Sequence, residues 1–388
     1  MKPWRQLFAF PFRVFFVSAA AWAVLAVSLW ALQVSGLLSL PLAYPPFLWH
    51  RHEMLFGFLN PAIAGFLLTA VCVWTGTERL HGPPLLLLWL VWLSGRVIAT
   101  WGGQDAAGWG IAIDLAFLPL VALDAGRRIV GARQWRQLVV LMVIALLWLM
   151  QAGTLTRGPA IRGPAIYTDG ALILAAALML IIGGRITPTF SANWLRGRGE
   201  DPTRVRTLFP LELALLTSLF LLLIAALLEH AGALTVMAIV TALLTLARLG
   251  LWRGWLFRRE PLLWILHLSL LWIPAALLLL AGHQVLGWPA TAWQHALGIG
   301  AMGGLILGVM TRVALGHTGR PLQLPAGMVA AYGLIQVAAL VRLLTVFLVV
   351  PWQWGIGVSA IAWVAAFALF LWRYLPVLWS PRADGKPG

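Results

Sequence analysis

The sequence predicts an all-α fold: a polytopic integral membrane protein of about twelve transmembrane helices. Three observations predict it. Of 388 residues, 61% are hydrophobic and only 10% charged, against roughly 25% charged in soluble domains. Mean hydropathy is +0.90. The apolar residues also form continuous blocks of about 20, the length that crosses a bilayer as a helix. Lipid offers no partner to an open sheet edge, so each block is helical. A barrel would instead need short alternating strands.

Pro, Gly and Arg mark the limits of the blocks. The first, about 14–37, lacks a small-residue cleavage site and reads as an uncleaved signal-anchor. The second, 54–75, follows Pro45-Pro46, and the third is 83–101. The fourth, 108–125, stops before Arg127 and Arg128, and the fifth, 137–153, starts after Arg133 and Arg136. The sixth, 167–187, follows Arg157 and Arg162; the seventh, 208–228, follows Arg204 and Arg206; the eighth, 232–249, precedes Arg253. The ninth, 262–281, follows Arg258 and Arg259, and the tenth is 293–315. The eleventh and twelfth are 326–349 and 353–375, so the whole chain, 1–388, reads as a single transmembrane domain with no evident internal repeat.

Basic residues orient the chain. The net charge of +15 reflects 27 Lys and Arg against 12 Asp and Glu. With a cytoplasmic N-terminus, 22 of those 27 fall at inner span ends, and only Arg51, Arg157 and Arg162 lie outside. The positive-inside rule then places both termini in the cytoplasm. The same placement argues against nucleic acid as partner and makes membrane lipid the surrounding one. One cysteine, Cys72, cannot form an internal disulfide. The two lysines, Lys2 and Lys386, lie at the termini, which excludes a P-loop and an intramembrane Schiff base. Trp22, Trp30, Trp49, Trp101 and Trp293 suit interfacial belts.

Ionisable residues within spans are expensive and therefore functional candidates. Arg96 and Asp114 lie at similar depth in spans three and four, as a buried ion pair requires, either structural or functional. Arg342 has no obvious acidic partner, and an anionic cofactor group such as a propionate would satisfy its forked donors. Glu212 and Asp124 sit near inner ends and reach the interface.

The histidines divide by depth. His50 and His52 stand in Trp49-His50-Arg51-His52-Glu53-Met54, after a proline that favours extended backbone, where side chains two apart point the same way. His295 opens span ten and His317 follows it; 22 residues of helix, about 33 Å, prevent one metal from binding both. His50, His52 and His295 form an outer group, and His267 and His317 an inner one. His81, His230 and His283 fall in loops and read as solvent-facing. These five candidate ligands suit copper, iron or zinc. Haem iron would take one or two histidines with arginine nearby, and Arg96 and Arg342 tilt that reading to the outer group. Gly300, Gly304 and Gly308 form a stripe that admits a neighbouring helix or leaves room for a planar cofactor.

Two long motifs resemble the NnrS family. One runs Trp49-His50-Arg51-His52-Glu53-Met54-Leu55-Phe56-Gly57-Phe58, with Ala64-Gly65-Phe66-Leu67-Leu68-Thr69-Ala70 and Trp74-Thr75-Gly76 behind it. The other is Met310-Thr311-Arg312-Val313-Ala314-Leu315-Gly316-His317-Thr318-Gly319-Arg320. Pro11-Phe12-Arg13, Gly95-Arg96, Gly184-Arg185-Ile186-Thr187-Pro188, Leu266-His267-Leu268 and His295-Ala296-Leu297 follow the family order, over about residues 11–375. Cys72-Val73 departs from an expected Pro-Asn. The resemblance implies a bacterial inner-membrane protein that contains haem and copper and serves nitric oxide response and denitrification. It implies His50, His52, His267, His295 and His317 as the matching histidines, without dividing them between the two metals.

Three functions compete, the last of them a membrane sensor or assembly factor without catalysis. The first is nitric oxide binding or protection at a metal with an open position. The second is a twelve-span transporter or metal- and haem-handling protein, which predicts inverted repeats and helices broken at mid-membrane. Whether the protein turns over a substrate is left open.

Overall fold

The computed structural model describes residues 3–156 and 165–386; Lys2, Arg157 and Arg162 lie outside them. The described residues are helical and contain no strand. Among the described residues, twelve helices are long and apolar enough to cross a membrane: α1 (Pro11–Val34), α2 (Pro46–Thr75), α3 (Gly82–Trp101), α4 (Gly108–Gly131), α5 (Trp135–Thr156), α6 (Ile166–Gly197), α7 (Phe209–Leu227), α8 (Ala231–Trp252), α9 (Pro261–Leu286), α10 (Ala290–His317), α11 (Met328–Val346) and α12 (Trp352–Trp379). Each coincides with one expected span.

Proline accounts for the largest differences in extent. Its fixed φ and missing N–H suit the first helical turn, and Pro46 starts α2 eight residues before the expected boundary. His50 and His52 are therefore helical and diverge, which corrects the extended reading that aimed them the same way. In α6 the helix continues through Pro188 to Gly197, with the Thr189 hydroxyl donating to the Arg185 carbonyl at 2.7 Å. The tryptophans also depart from expectation. Trp101 is exposed at a helix end, whereas Trp22, Trp49 and Trp293 are core residues.

The chain forms two compact units. The first comprises Met1–Thr168, Met310–Met328 and Trp363–Gly388, that is α1–α5 with the last turns of α10 and the second half of α12. Its core includes the buried rings Phe12, Phe15, Phe16, Phe56 and Phe58, with Phe58 set edge-on to Trp363 and Phe367. The second comprises Asp169–Val309 and Val329–Ala362. There α11 packs on α9, where Trp272 Nε1 donates to Gln336 Oε1 at 2.7 Å and Trp264 meets Tyr332 edge-on.

Each unit contains one wide-turn segment. Residues Glu53–Phe58 of α2 and Ala296–Gly303 of α10 are π-helical, and each segment directly follows a histidine, His52 or His295. The flanking sequence shows the same spacing. Pro46, His52, Gly57, Ile63 and Gly65 each match an identical residue 243 positions later: Pro289, His295, Gly300, Ile306 and Gly308. This correspondence is too sparse to stand out in sequence and becomes visible only through the paired π segments.

Candidate functional site

In the first unit, α2, α3, α4 and α5 bring a charged cluster into the interior. Helical backbone places Glu53 directly after His52, and the wide turns of the π segment follow. His52 Nδ1 is 2.9 Å from Glu53 Oε1, and its Nε2 is 2.8 Å from Asp114 Oδ2. Arg96 Nε is 3.3 Å from Glu53 Oε2, and Arg96 Nη2 donates to Asp114 Oδ1. Gln151 Nε2 donates to Asp114 Oδ2 at 3.1 Å, and Asn60 Nδ2 donates to Gln151 Oε1 at 3.4 Å. All six side chains are buried. Two carboxylates face one guanidinium with an imidazole between them, an arrangement whose desolvation cost is offset only by this mutual pairing.

Glycines permit the close approach. A Cβ on Gly57 would collide with the Glu53 carboxylate and lie 2.6 Å from Trp22 Nε1, and one on Gly95 would lie 2.8 Å from Asp114 Oδ1. Trp92 Nε1 donates to the Gly57 carbonyl at 3.1 Å, satisfying part of the π backbone. Tyr44 caps the cluster from the preceding loop, its ring centre 5.8 Å from that of His52. Burial, then the charges of Asp114 and Glu53, hold its phenol well above the ordinary value.

The expected Arg96–Asp114 pair is thus present, and the structure adds Glu53 and His52 to it. His50 lies apart from the cluster, stacked on Trp30 at 4.4 Å with an interplanar angle of 11°. His317, half-buried at the end of α10, tilts against Phe12 at 5.5 Å.

In the second unit, His295 Nδ1 lies 2.7 Å from the Thr291 carbonyl oxygen. A carbonyl only accepts, so Nδ1 donates, and the lone pair of the neutral ring sits at Nε2. A histidine that ligates metal usually donates its other ring N–H in this way. Arg342 lies over the Trp352 ring at 5.2 Å and keeps a buried Nη1 with no hydrogen-bond partner. Gly300 packs face-on against Trp272, and Gly304 against Ser269, so this part of the stripe serves helix packing. His267 is 3.0 Å from Ser191 Oγ through Nε2 and stacks on Phe257 at 5.3 Å.

The remaining histidines have local roles. His81 contacts Glu78 at 3.1 Å, His230 accepts the Ala233 N–H at the start of α8, and His283 donates to the Trp288 carbonyl. His81 and His230 are exposed, as expected, whereas His283 is half-buried. One pair, a buried arginine with a half-buried glutamate, escapes sequence reasoning. Arg248 of α8 forks onto Glu212 of α7, with Nε to Oε1 at 2.7 Å, and donates to the Leu180 carbonyl at 2.8 Å. Gly184 supplies the signal in retrospect, since a Cβ there would occupy the guanidinium. Among the described residues, no three of His, Cys, Asp and Glu converge to hold a metal ion.

The family model described as NnrS protein matches residues 6–382. No curated protein matches the chain.

Proposed function

Because the chain belongs to the NnrS family, and so to the membrane proteins of the nitric oxide response, we propose that it binds haem in its second unit and coordinates nitric oxide there. The observation that carries this reading is the His295 Nδ1–Thr291 carbonyl bond at 2.7 Å, which fixes the tautomer with its lone pair on Nε2. Haem needs only one or two histidines, so it suits a chain whose described residues form no three-ligand cluster. Arg342, with its unpartnered buried Nη1, would hold a propionate. Trp352, stacked on the guanidinium, fixes its direction. Haem held there would supply the iron to which nitric oxide binds. Arg96 is committed to Glu53 and Asp114, so Arg342 is the favoured propionate partner.

Copper is the second proposed cofactor, at histidines other than His295. The candidates are His50 and His52 of the outer group and His267 and His317 of the inner one, of which His52 and His267 also contact Glu53, Asp114 and Ser191. The proposed location is the bacterial inner membrane. The transport or metal-handling reading draws on the division into two compact units, but both histidine-bearing helices continue through their π segments.

The test is an absorption spectrum of the purified protein, oxidised and reduced, with and without nitric oxide, alongside metal analysis. We expect a Soret band that shifts with nitric oxide. His295→Ala should abolish it and Arg342→Gln should lower haem occupancy. Undiminished haem in His295→Ala overturns the ligand assignment, and a folded preparation supplied with both metals that takes up neither favours transport.

A further inference from the structure

Where the start of α1 meets the end of α12, the first unit gathers four arginines. Arg13 is fully buried, and the charges of Arg320, Arg382 and Arg79 all act on it. Three of the four spend donors on the chain itself. Arg13 Nη1 donates to the carbonyls of Leu378 and Ser380, at 2.5 and 2.8 Å. Arg79 Nε donates to the Ala9 carbonyl at 3.0 Å, and its guanidinium lies 3.7 Å over the Phe10 ring. Arg382 pairs with Asp384 and donates to the His317 carbonyl at 2.9 Å. Arg320 keeps a buried Nη1 with no hydrogen-bond partner.

Four guanidinium groups repel one another, and the Asp384 carboxylate on Arg382 together with the partial charges on carbonyls does not neutralise all four. The cluster therefore lacks an anion, and the idle donor of Arg320 shows where one would bind. Leu322, two residues after Arg320, and Trp379, three before Arg382, are exposed apolar side chains. Such surface beside a basic helix end matches the boundary between headgroup and acyl chain.

We propose that Arg320, supported by Arg79 and Arg382, binds a phosphate-bearing anion at this end of the first unit. The phosphate could come from an acidic phospholipid headgroup or from solution, and the apolar flanks favour the lipid.

The experiment uses the full chain, purified and stripped of lipid in a zwitterionic detergent. Thermal unfolding is followed while phosphatidylglycerol, phosphatidylcholine, inorganic phosphate or acetate is added at constant ionic strength. Native mass spectrometry counts retained lipids. Phosphatidylglycerol should raise the midpoint more than phosphatidylcholine and remain bound through detergent removal. Arg320→Gln should weaken the effect about fivefold, the value of one basic residue at an anionic surface. Arg196→Gln, at an exposed arginine elsewhere, should leave it unchanged. Protection by inorganic phosphate equal to that by phosphatidylglycerol supports the site with a soluble source. Equal protection by acetate, no protection by any phosphate, or undiminished binding in Arg320→Gln overturns the proposal.

Discussion

His52 and His295 occupy the same place in two similarly built helices, yet different partners hold them. His52 faces carboxylates through both nitrogens, whereas His295 donates one proton to its own helix. Sequence depth was enough to pair Arg96 with Asp114, because residues at equal depth on adjacent helices meet. It could not add Glu53, whose position depends on α2 beginning at Pro46. Nor could it find Arg248 with Glu212, since both lie near helix ends where water would also satisfy them. Removing one member of a buried charge network leaves the others unpaired. Asp114→Ala should therefore destabilise the first unit by about 3–5 kcal/mol, read as a lowered midpoint in detergent. Little loss of stability would show that the cluster is hydrated. A second residue-scale prediction concerns acid. Asp384, hydrogen-bonded by Arg382, has its pKa lowered to about 2. A depressed carboxylate stabilises above its ordinary range and loses that contribution as pH falls through about 2. Proteolysis of the C-terminal tail should accelerate over that interval, and Asp384→Asn should remove the pH dependence.

At the scale of the element, hydrophobic blocks were sufficient to place all twelve helices, because lipid-crossing length is a property of composition alone. Helix ends were less legible, since proline stops one helix and starts another. The π segments were invisible, because no residue type demands a wide turn. They have a measurable consequence. A π turn is commonly one residue inserted into an α-helix, and each residue of an α-helix turns the chain by about 100°. Deleting Gly298, whose Cβ position faces open space, should rotate His295 against the rest of α10. The expected result is a folded protein with haem occupancy reduced severalfold. Unchanged occupancy would mean that the wide turn does not set the ligand's direction.

At the scale of the whole molecule, Arg13 bonds the backbone at Leu378 and Ser380, so the start of α1 and the end of α12 lie on one face. An even number of crossings accounts for this. The arginine bias predicts the cytoplasmic face, and cysteine labelling tests it. With Cys72→Ser as background, Lys386→Cys should react with an impermeant maleimide in inverted vesicles and be protected in intact cells from which the outer membrane has been removed. The reverse pattern would invert the topology.

The bonds of Arg13 also fix an order of events. Their acceptors lie as many as 367 positions along the chain from the donor. At synthesis rates on the order of 5–20 residues per second, roughly 20–70 s separate emergence of the guanidinium from that of its partners. Through that interval α1 must stay in the membrane with a charge that its final neighbours do not yet satisfy. The insertion machinery, the interface or bound lipid must hold it until the last helix arrives. A nascent chain halted before residue 363 would therefore leave its first unit incomplete, although α1–α5 have all been made.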